Sequence, residues 1–377
     1  MAIMKEALTK DELRPLKSAS PSQRALIVCY IPSKDSRFTL SQLRCLYLAQ
    51  LHKQSLISKN KLFILTLCKD AVVDSNGIRL EQEEVFELAS GCDKDEIGEK
   101  IGDSDSDDHS AVKVGAQLLA NHLVTLMSEE VDKIITIAPI SEEYVVNDAK
   151  RLLSQSRIES AVDFEIILVN HVTPDEEVKE AWKKKHELVS KISKKRLFSS
   201  SEEISSEKVN LITLSSLKFD LLKKSRKLNV FVARKEGQCD QKAGSFLQYN
   251  CARICSLLNQ FDELVEQGAY PRLPSFEEGA SLPTDQQEWE LVFKYLHAHD
   301  EMISEVQQQP DNCHKLIQWL ICFSHDFSAY YNRIHILSDQ RSHLYPKMFA
   351  RIRLLLKLKK MLEFWLGFLD LPLLTSI

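Results

Sequence analysis

The stretch Gly244-Ser-Phe-Leu-Gln-Tyr-Asn-Cys-Ala-Arg-Ile-Cys-Ser-Leu-Leu258 reads as a helix with two distinct stripes. Leu247, Cys251, Ile254, Leu258, Phe261 and Val265 recur at steps of four and three, which builds one apolar face. Tyr249, Arg253, Ser256 and Gln260 recur with the same steps about half a turn away. An apolar stripe alone says only that a helix docks on a core. The tyrosine and arginine aligned opposite it point to a ligand that is polar, planar or anionic.

Helical patterning continues on both sides of this stretch. After position 209 it predicts helices over 214–224, 244–266, 286–307, 314–337 and 345–369, with a short extended piece at 229–233. Pro271, Pro274 and Pro283 occupy the loop between the second and third, where helices must stop. The first half alternates instead. Ala25-Leu-Ile-Val-Cys-Tyr-Ile31, Leu62-Phe-Ile-Leu-Thr-Leu67, Ile134-Ile-Thr-Ile-Ala138 and Phe164-Glu-Ile-Ile-Leu-Val169 are short apolar runs suited to buried strands. Helical patterns at 40–57, 111–127 and 142–153 fall between them, so the expectation is a parallel sheet covered on both faces. Strand order is not readable. The predicted architecture is an α/β domain followed by an all-α bundle.

The 377 residues suffice for two domains with cores of their own, and 44% apolar with 27% charged residues is a globular composition. The net charge of −5 gives no whole-chain support to nucleic-acid binding, so any RNA contact must come from local basic patches. The nine cysteines form no C-x-x-C pair and follow no signal peptide. Cys29, Cys45, Cys68 and Cys251 fall in apolar runs, as small buried hydrophobes of a reducing compartment do. No apolar run reaches the ~18 residues of a membrane span. A cytosolic or nucleocytoplasmic protein is the expectation.

Residues 92–110, including Asp103-Ser-Asp-Ser-Asp-Asp-His109, predict a disordered acidic insertion, either a plain solvated loop or a phosphorylatable one. The stretch 182–196 is basic through Lys183, Lys184, Lys185, Lys191, Lys194, Lys195 and Arg196. Such a run reads as a solvated helix face or as a phosphate-contacting one. Serines at 199–201 and 205–206 then mark a linker. The boundaries expected are a tail at 1–23, the α/β domain at 24–198, a linker with connecting helix at 199–242 and the bundle at 243–377.

Phe246-Leu-Gln-Tyr-Asn-Cys-Ala-Arg-Ile254 resembles the segment that opens the DALR anticodon-binding domain of arginyl-tRNA synthetases. Trp289-Glu-Leu-Val292, Phe327-Ser-Ala-Tyr-Tyr-Asn-Arg-Ile-His-Ile-Leu337 and the ending Arg351-Ile-Arg-Leu354 with Leu366-Gly-Phe-Leu-Asp-Leu371 are similar to later segments in the same order. Trp365 and Asp370 depart from that ending by replacing its glycines. Upstream, Leu214-Ser-Ser-Leu-Lys-Phe-Asp-Leu221 resembles the helix that leads into the domain. The resemblance implies a Rossmann-like, degenerate class I synthetase domain before the bundle.

It also implies tRNA as the ligand. Unpaired bases lie on aromatic rings or guanidinium planes while cations track phosphates. Tyr249, Arg253 and Gln260 on the opening helix are then the first candidates, and Tyr330, Asn332 and Arg333 a second set, with one of the tyrosines Tyr330 and Tyr331 assigned to the core. On the last helix Arg353, Lys357 and Lys360 align opposite the apolar stripe Leu355, Leu358, Leu362, Leu366 and Leu369. Arg351 falls within that stripe and should hold the bundle together through a carboxylate or carbonyls. Lys183, Lys184, Lys185, Lys194, Lys195 and Arg196 are further phosphate candidates.

The catalytic signature is another matter. No His-x-Gly-His element occurs in these residues, and Lys191-Ile-Ser-Lys-Lys195 only faintly echoes Lys-Met-Ser-Lys-Ser. Both are needed together to stabilise a transferring phosphate. Cys313, His314, Cys322 and His325 match no zinc spacing, so neither metal nor cofactor is expected. The resemblance extends to animal, non-synthetase members of the DALR family, which bring arginine tRNAs to a partner methyltransferase that makes 3-methylcytidine in the anticodon loop. A non-catalytic adaptor without membrane or DNA partners is therefore the expectation. A divergent arginyl-tRNA synthetase and a protein-interaction scaffold stay as alternatives. Such members are longer than this chain, which on that resemblance is a shorter isoform or gene model lacking N-terminal sequence.

Overall fold

The computed structural model describes residues 25–31, 39–56, 61–66, 116–117, 119–120, 133–155, 162–197, 205–232, 243–275 and 285–376. The tail at 1–23, the acidic stretch 92–110 and the side chains of Lys194, Lys195 and Arg196 lie outside them. The chain divides into two compact units, one of Lys17–Ala181 with Lys224–Val232, the other including Trp182–Lys223 and Ala233–Ile377.

In the α/β unit, strands β1 (Ala25–Ile31), β2 (Lys61–Thr66), β3 (Lys133–Pro139) and β4 (Asp163–Val169) form one parallel sheet in the order β2-β1-β3-β4. The register pairs Leu26 with Lys61, Ile27 with Ile135, and Ile137 with Ile167. Continuous apolar runs appear here because a parallel strand is buried on both faces. Val28, Tyr30, Ile134 and Ala138 share a core with Ala116, Leu119 and Ala120 and with helix α2 (Glu143–Gln155) through Val145, Val146, Ala149 and Leu153. Helix α1 (Leu40–Leu56) packs against β1 and β3 and contributes none of that core, so it covers the other face. The expected parallel sheet with helices on both sides is the observed one. A short parallel pair, β5 (Val172–Thr173) with β6 (Val230–Phe231), adds a second small sheet.

The helical unit holds most of α3 (Val178–Leu197), then α4 (Ser206–Leu222), α5 (Ala243–Glu266), α6 (Gln286–Leu291), α7 (His299–Gln308), α8 (Cys313–Arg333) and α9 (Tyr345–Phe368). Three of these depart from the expected spans. Helix α4 starts at Ser206, where the Ser205 hydroxyl accepts from the Lys208 amide. The expected continuous helix over 286–307 is interrupted, because Val292–His297 winds as a π-helix before α7. Helix α8 stops at Arg333, and Ile334 turns extended, which brings Ile336 into the core.

Helix α5 lies at the centre of this unit, packed by α4, α8 and α9. Its contact with α4 is backbone-close. A Cβ at Gly244 would stand 2.3 Å from the Ser215 carbonyl oxygen, so only glycine fits there. Ser215 and Ser216, both buried, are small enough to keep the two helices near each other. One turn on, the fully buried Gln248 donates to Ser215 Oγ and to the Pro372 carbonyl, each at 3.0 Å, and accepts from the Leu374 amide. Asn250 donates to the Ser324 carbonyl on α8 at 2.9 Å. These buried amides join α5 to three other segments without leaving a side-chain donor of Gln248 stranded.

Candidate nucleic-acid interface

The apolar stripe read from the sequence is the buried face of α5, with Leu247, Cys251, Ile254, Leu258 and Phe261 all in the core. The polar stripe falls outward. Tyr249 and Arg253 are half-buried, and Ser256 and Gln260 are exposed. The Arg253 guanidinium carbon lies 4.1 Å from the Tyr249 ring centroid and 4.6 Å from that of Tyr331 on α8. Arg253 Nη2 donates to the Tyr249 hydroxyl at 2.7 Å. Its Nη1 has no hydrogen-bond partner among the described residues. Two tyrosine rings and a guanidinium with one buried, unpaired nitrogen thus meet at the junction of α5 and α8, and a base or a phosphate can engage this cluster by drawing the guanidinium off the rings.

The second tyrosine of this cluster is Tyr331, and the choice of Tyr330 is corrected. Tyr330 is fully buried and continues the stripe Leu316, Leu320, Phe323 and Phe327 at steps of four and three. That phase was present in the sequence and distinguishes the two tyrosines. Asn332 and Arg333 are exposed, although Arg333 is held by Asp285 at 2.8 Å.

The last helix also needs one correction. Arg353 is buried, and its guanidinium donates to the carbonyl of Pro274 at 2.6 Å and more weakly to that of Ser275. Burial pulls its pKa below the usual arginine value. The loop that covers it leaves it closed to a ligand. Lys357 is half-buried, while Lys360 is exposed. Arg351 meets both kinds of partner expected of it, Glu288 at 2.7 Å and the His335 carbonyl at 2.7 Å.

On α3, Lys183 and Lys184 are exposed, whereas Lys185 is not available to phosphate. Its ammonium is 2.5 Å from Asp220 of α4, whose other oxygen accepts from Lys223 at 3.1 Å. All three groups are buried. A lysine read as one of a basic run is therefore part of an internal ion cluster, because α4 passes beneath that one position.

The start of α6 at Gln286 is where the sequence placed it, but the capping box that sets it went unread. Asp285 accepts from the Gln287 amide and Glu288 accepts from the Asp285 amide, a capping box that Asp285-Gln-Gln-Glu288 announces by its spacing. Both carboxylates do double duty, Asp285 toward Arg333 and Glu288 toward Arg351. Among the described residues no helix is long and apolar enough to cross a membrane.

Residues 247–377 match the family model of the DALR anticodon binding domain. The chain is 31% identical over 181 residues to DALR anticodon-binding domain-containing protein 3 of Mus musculus, covering 45% of this chain and 34% of that protein. The corresponding protein of Danio rerio is 31% identical over 179 residues, covering 44% and 32%. The matched stretch thus spans about a third of these relatives' length. Among solved structures, arginyl-tRNA synthetase of Thermus thermophilus superposes with a TM-score of 0.61 at 13% identity, over 100% of this chain and 86% of that one. That of Plasmodium falciparum gives 0.62 at 11% identity, over 99% and 82%. At such identities the likeness is one of fold. Residues 247–377 are accordingly a DALR anticodon binding domain, in a chain with the fold of arginyl-tRNA synthetases and a sequence similar to DALR anticodon-binding domain-containing protein 3.

Proposed function

We propose that this protein binds tRNA through its DALR domain, favours arginine tRNAs, and presents them in the cytoplasm to a methyltransferase that forms 3-methylcytidine in the anticodon loop. In this reading the chain is a non-catalytic subunit. The observation that carries it is the Tyr249–Arg253–Tyr331 cluster, which lies within the residues 247–377 that match the DALR anticodon binding domain. An unpaired base can stack on a tyrosine ring once the Arg253 guanidinium swings from the rings to a phosphate. Exposed Gln260, Asn332 and Lys360 belong to the same domain and can extend the contact. Lys183 and Lys184 on α3 are further phosphate candidates. The non-catalytic part rests on the sequence, in which His-x-Gly-His does not occur.

The test is to capture the tagged protein from cells and sequence the bound RNA. Arginine tRNAs should be enriched, and the Tyr249→Ala, Arg253→Ala double variant should retain about tenfold less, the scale of losing one stacked base. Capture by the double variant at the wild-type level removes the proposed face. Nuclease-resistant protein capture with no tRNA would replace the reading with a scaffold. Arginine-dependent ATP–pyrophosphate exchange would replace it with a synthetase. Addition of the protein to a 3-methylcytidine methyltransferase should stimulate modification of arginine tRNAs, and no stimulation removes the adaptor role.

A further inference from the structure

The α/β unit contains a loop whose backbone is held from within at every step. Arg44 of α1 is only 1% exposed. Its Nη1 donates to the carbonyls of Asn170 and Leu228 at 2.8 and 2.9 Å, and its Nη2 to those of Lys224 and Ser225 at 3.1 and 2.8 Å. Asn170 takes the two carbonyls between. Its amide donates to Arg226 and its Nδ2 to Lys227, each at 2.8 Å. Five consecutive carbonyls, Lys224 through Leu228, therefore point inward to two residues. Such a loop has little freedom left in its backbone, and the side chains between the carbonyls must turn out.

What turns out is basic and apolar together. Phe231 is 59% and Leu228 57% exposed, two of the few large apolar side chains in the described residues that face water. Lys224 and Lys227 are exposed beside them, and the Lys224 ammonium rides 5.4 Å from the Phe231 ring centroid. Arg226 is excluded from this outward set, since its guanidinium donates to the Leu168 carbonyl. No Asp or Glu occurs anywhere in 221–232, so the local charge is uncancelled along the segment. Holding a phenylalanine in water on a rigid loop costs burial energy that folding alone does not recover. A π face with one ammonium on it and a second exposed lysine on the same loop is a set that single-stranded nucleic acid uses, the ring for a base and the cations for phosphates.

We propose that the 224–231 loop is a second RNA contact, in which an unpaired base stacks on Phe231 and neighbouring phosphates pair with Lys224 and Lys227. This rests on the reading of the chain as a tRNA binder and adds to it a contact on the α/β unit. On binding, the Lys224 ammonium leaves the ring face for a phosphate and the base takes its place. The side chains are already outward, so ordering the loop adds no further cost.

The test uses the full chain and purified tRNA, with affinity measured over a range of salt. Phe231→Ala should weaken binding about tenfold. The Lys224→Gln, Lys227→Gln double variant should flatten the dependence of log affinity on log salt by about 1.5, the loss of two phosphate contacts. All three side chains are exposed, and unchanged thermal midpoints will show that the fold survives. If wild type binds tRNA and these variants match it in affinity and salt slope, the loop is no RNA contact while the tRNA reading stands. If the variants keep tRNA but lose a co-purifying protein, the loop docks protein and the proposal is overturned. If wild type binds no tRNA, both readings fall.

Discussion

Arg351 Nε lies 2.7 Å from Glu288 Oε1, which ties the last helix to the first turn of α6 through a carboxylate that is fully buried. The same carboxyl group closes the α6 capping box through its other oxygen, so one side chain both starts a helix and anchors another to it. Glu288→Gln would remove the negative charge facing the nearly buried Arg351 guanidinium and turn one of the carboxylate's two acceptor oxygens into a donor. We expect it to destabilise the helical unit by about 3 kcal/mol in denaturant unfolding. Arg333→Ala breaks a pair on the neighbouring Asp285 that is more than half exposed on the arginine side, and should cost less than about 1 kcal/mol. Equal effects of the two changes would show that burial does not set the strength here.

Gly244→Ala should destabilise despite alanine's higher helix propensity. Propensity favours the change by about 1 kcal/mol. The new Cβ would meet the Ser215 carbonyl at 2.3 Å and its carbon at 2.5 Å, backbone atoms that cannot swing away. The two helices must separate, at roughly 1–3 kcal/mol net. A thermal midpoint at or above that of wild type would contradict this.

Lys218 is buried on α4 and donates to the Leu369 carbonyl. Burial lowers its pKa to about 8, with Asp370 opposing the shift. The unfolded chain holds this proton up to the ordinary lysine value, so between about 8 and 10.5 it binds more protons than the folded state. Stability from this group therefore rises with pH across that window. Buried cysteines and tyrosines, whose pKa values burial raises, act in the opposite sense at alkaline pH. The comparison with Lys218→Met isolates the lysine. The variant should gain on wild type at pH 7, and its advantage should shrink by roughly 3 kcal/mol by pH 10.5. A difference that stays constant with pH would rule this out.

Tyr330 and Tyr331 should separate cleanly. Tyr331→Ala removes one ring from the Arg253 guanidinium and is expected to weaken tRNA binding about tenfold with little change in stability. Tyr330→Phe removes a buried hydroxyl that has no partner among the described residues. It should leave binding unchanged and be neutral or stabilising by up to about 1 kcal/mol. Filter binding and thermal unfolding of both variants check the pair, and loss of binding by Tyr330→Phe would return that residue to the interface.

The strands of the sheet and the phase of α5 were legible because both are local. A run such as Ala25–Ile31 is apolar at every position, and α5 repeats its apolar residues at 3.6-residue spacing. What escaped the sequence depends on a neighbour. Arg353 looks like a surface cation until the Pro274 and Ser275 carbonyls arrive over it. Lys185 looks like six other members of a basic run until Asp220 lies against it. Gln248 and Asn250 fall outside the apolar stripe, yet both are fully buried because three helices surround α5 rather than one.

By itself the sequence determined the four strands of the parallel sheet, the helical character of the second half though not every helix boundary, which face of α5 turns inward, and the resemblance to a DALR domain. Periodicity and short motifs are written along the chain and need no partner to be read. Only the tertiary structure decided that Arg253 of α5 meets a tyrosine of α8, and that Arg351 and Glu288 are one unit. It alone turned five carbonyls of one loop toward Arg44 and Asn170. Those are pairings between residues far apart in sequence, and a cation's role is set by whether a carboxylate, a carbonyl or water lies next to it.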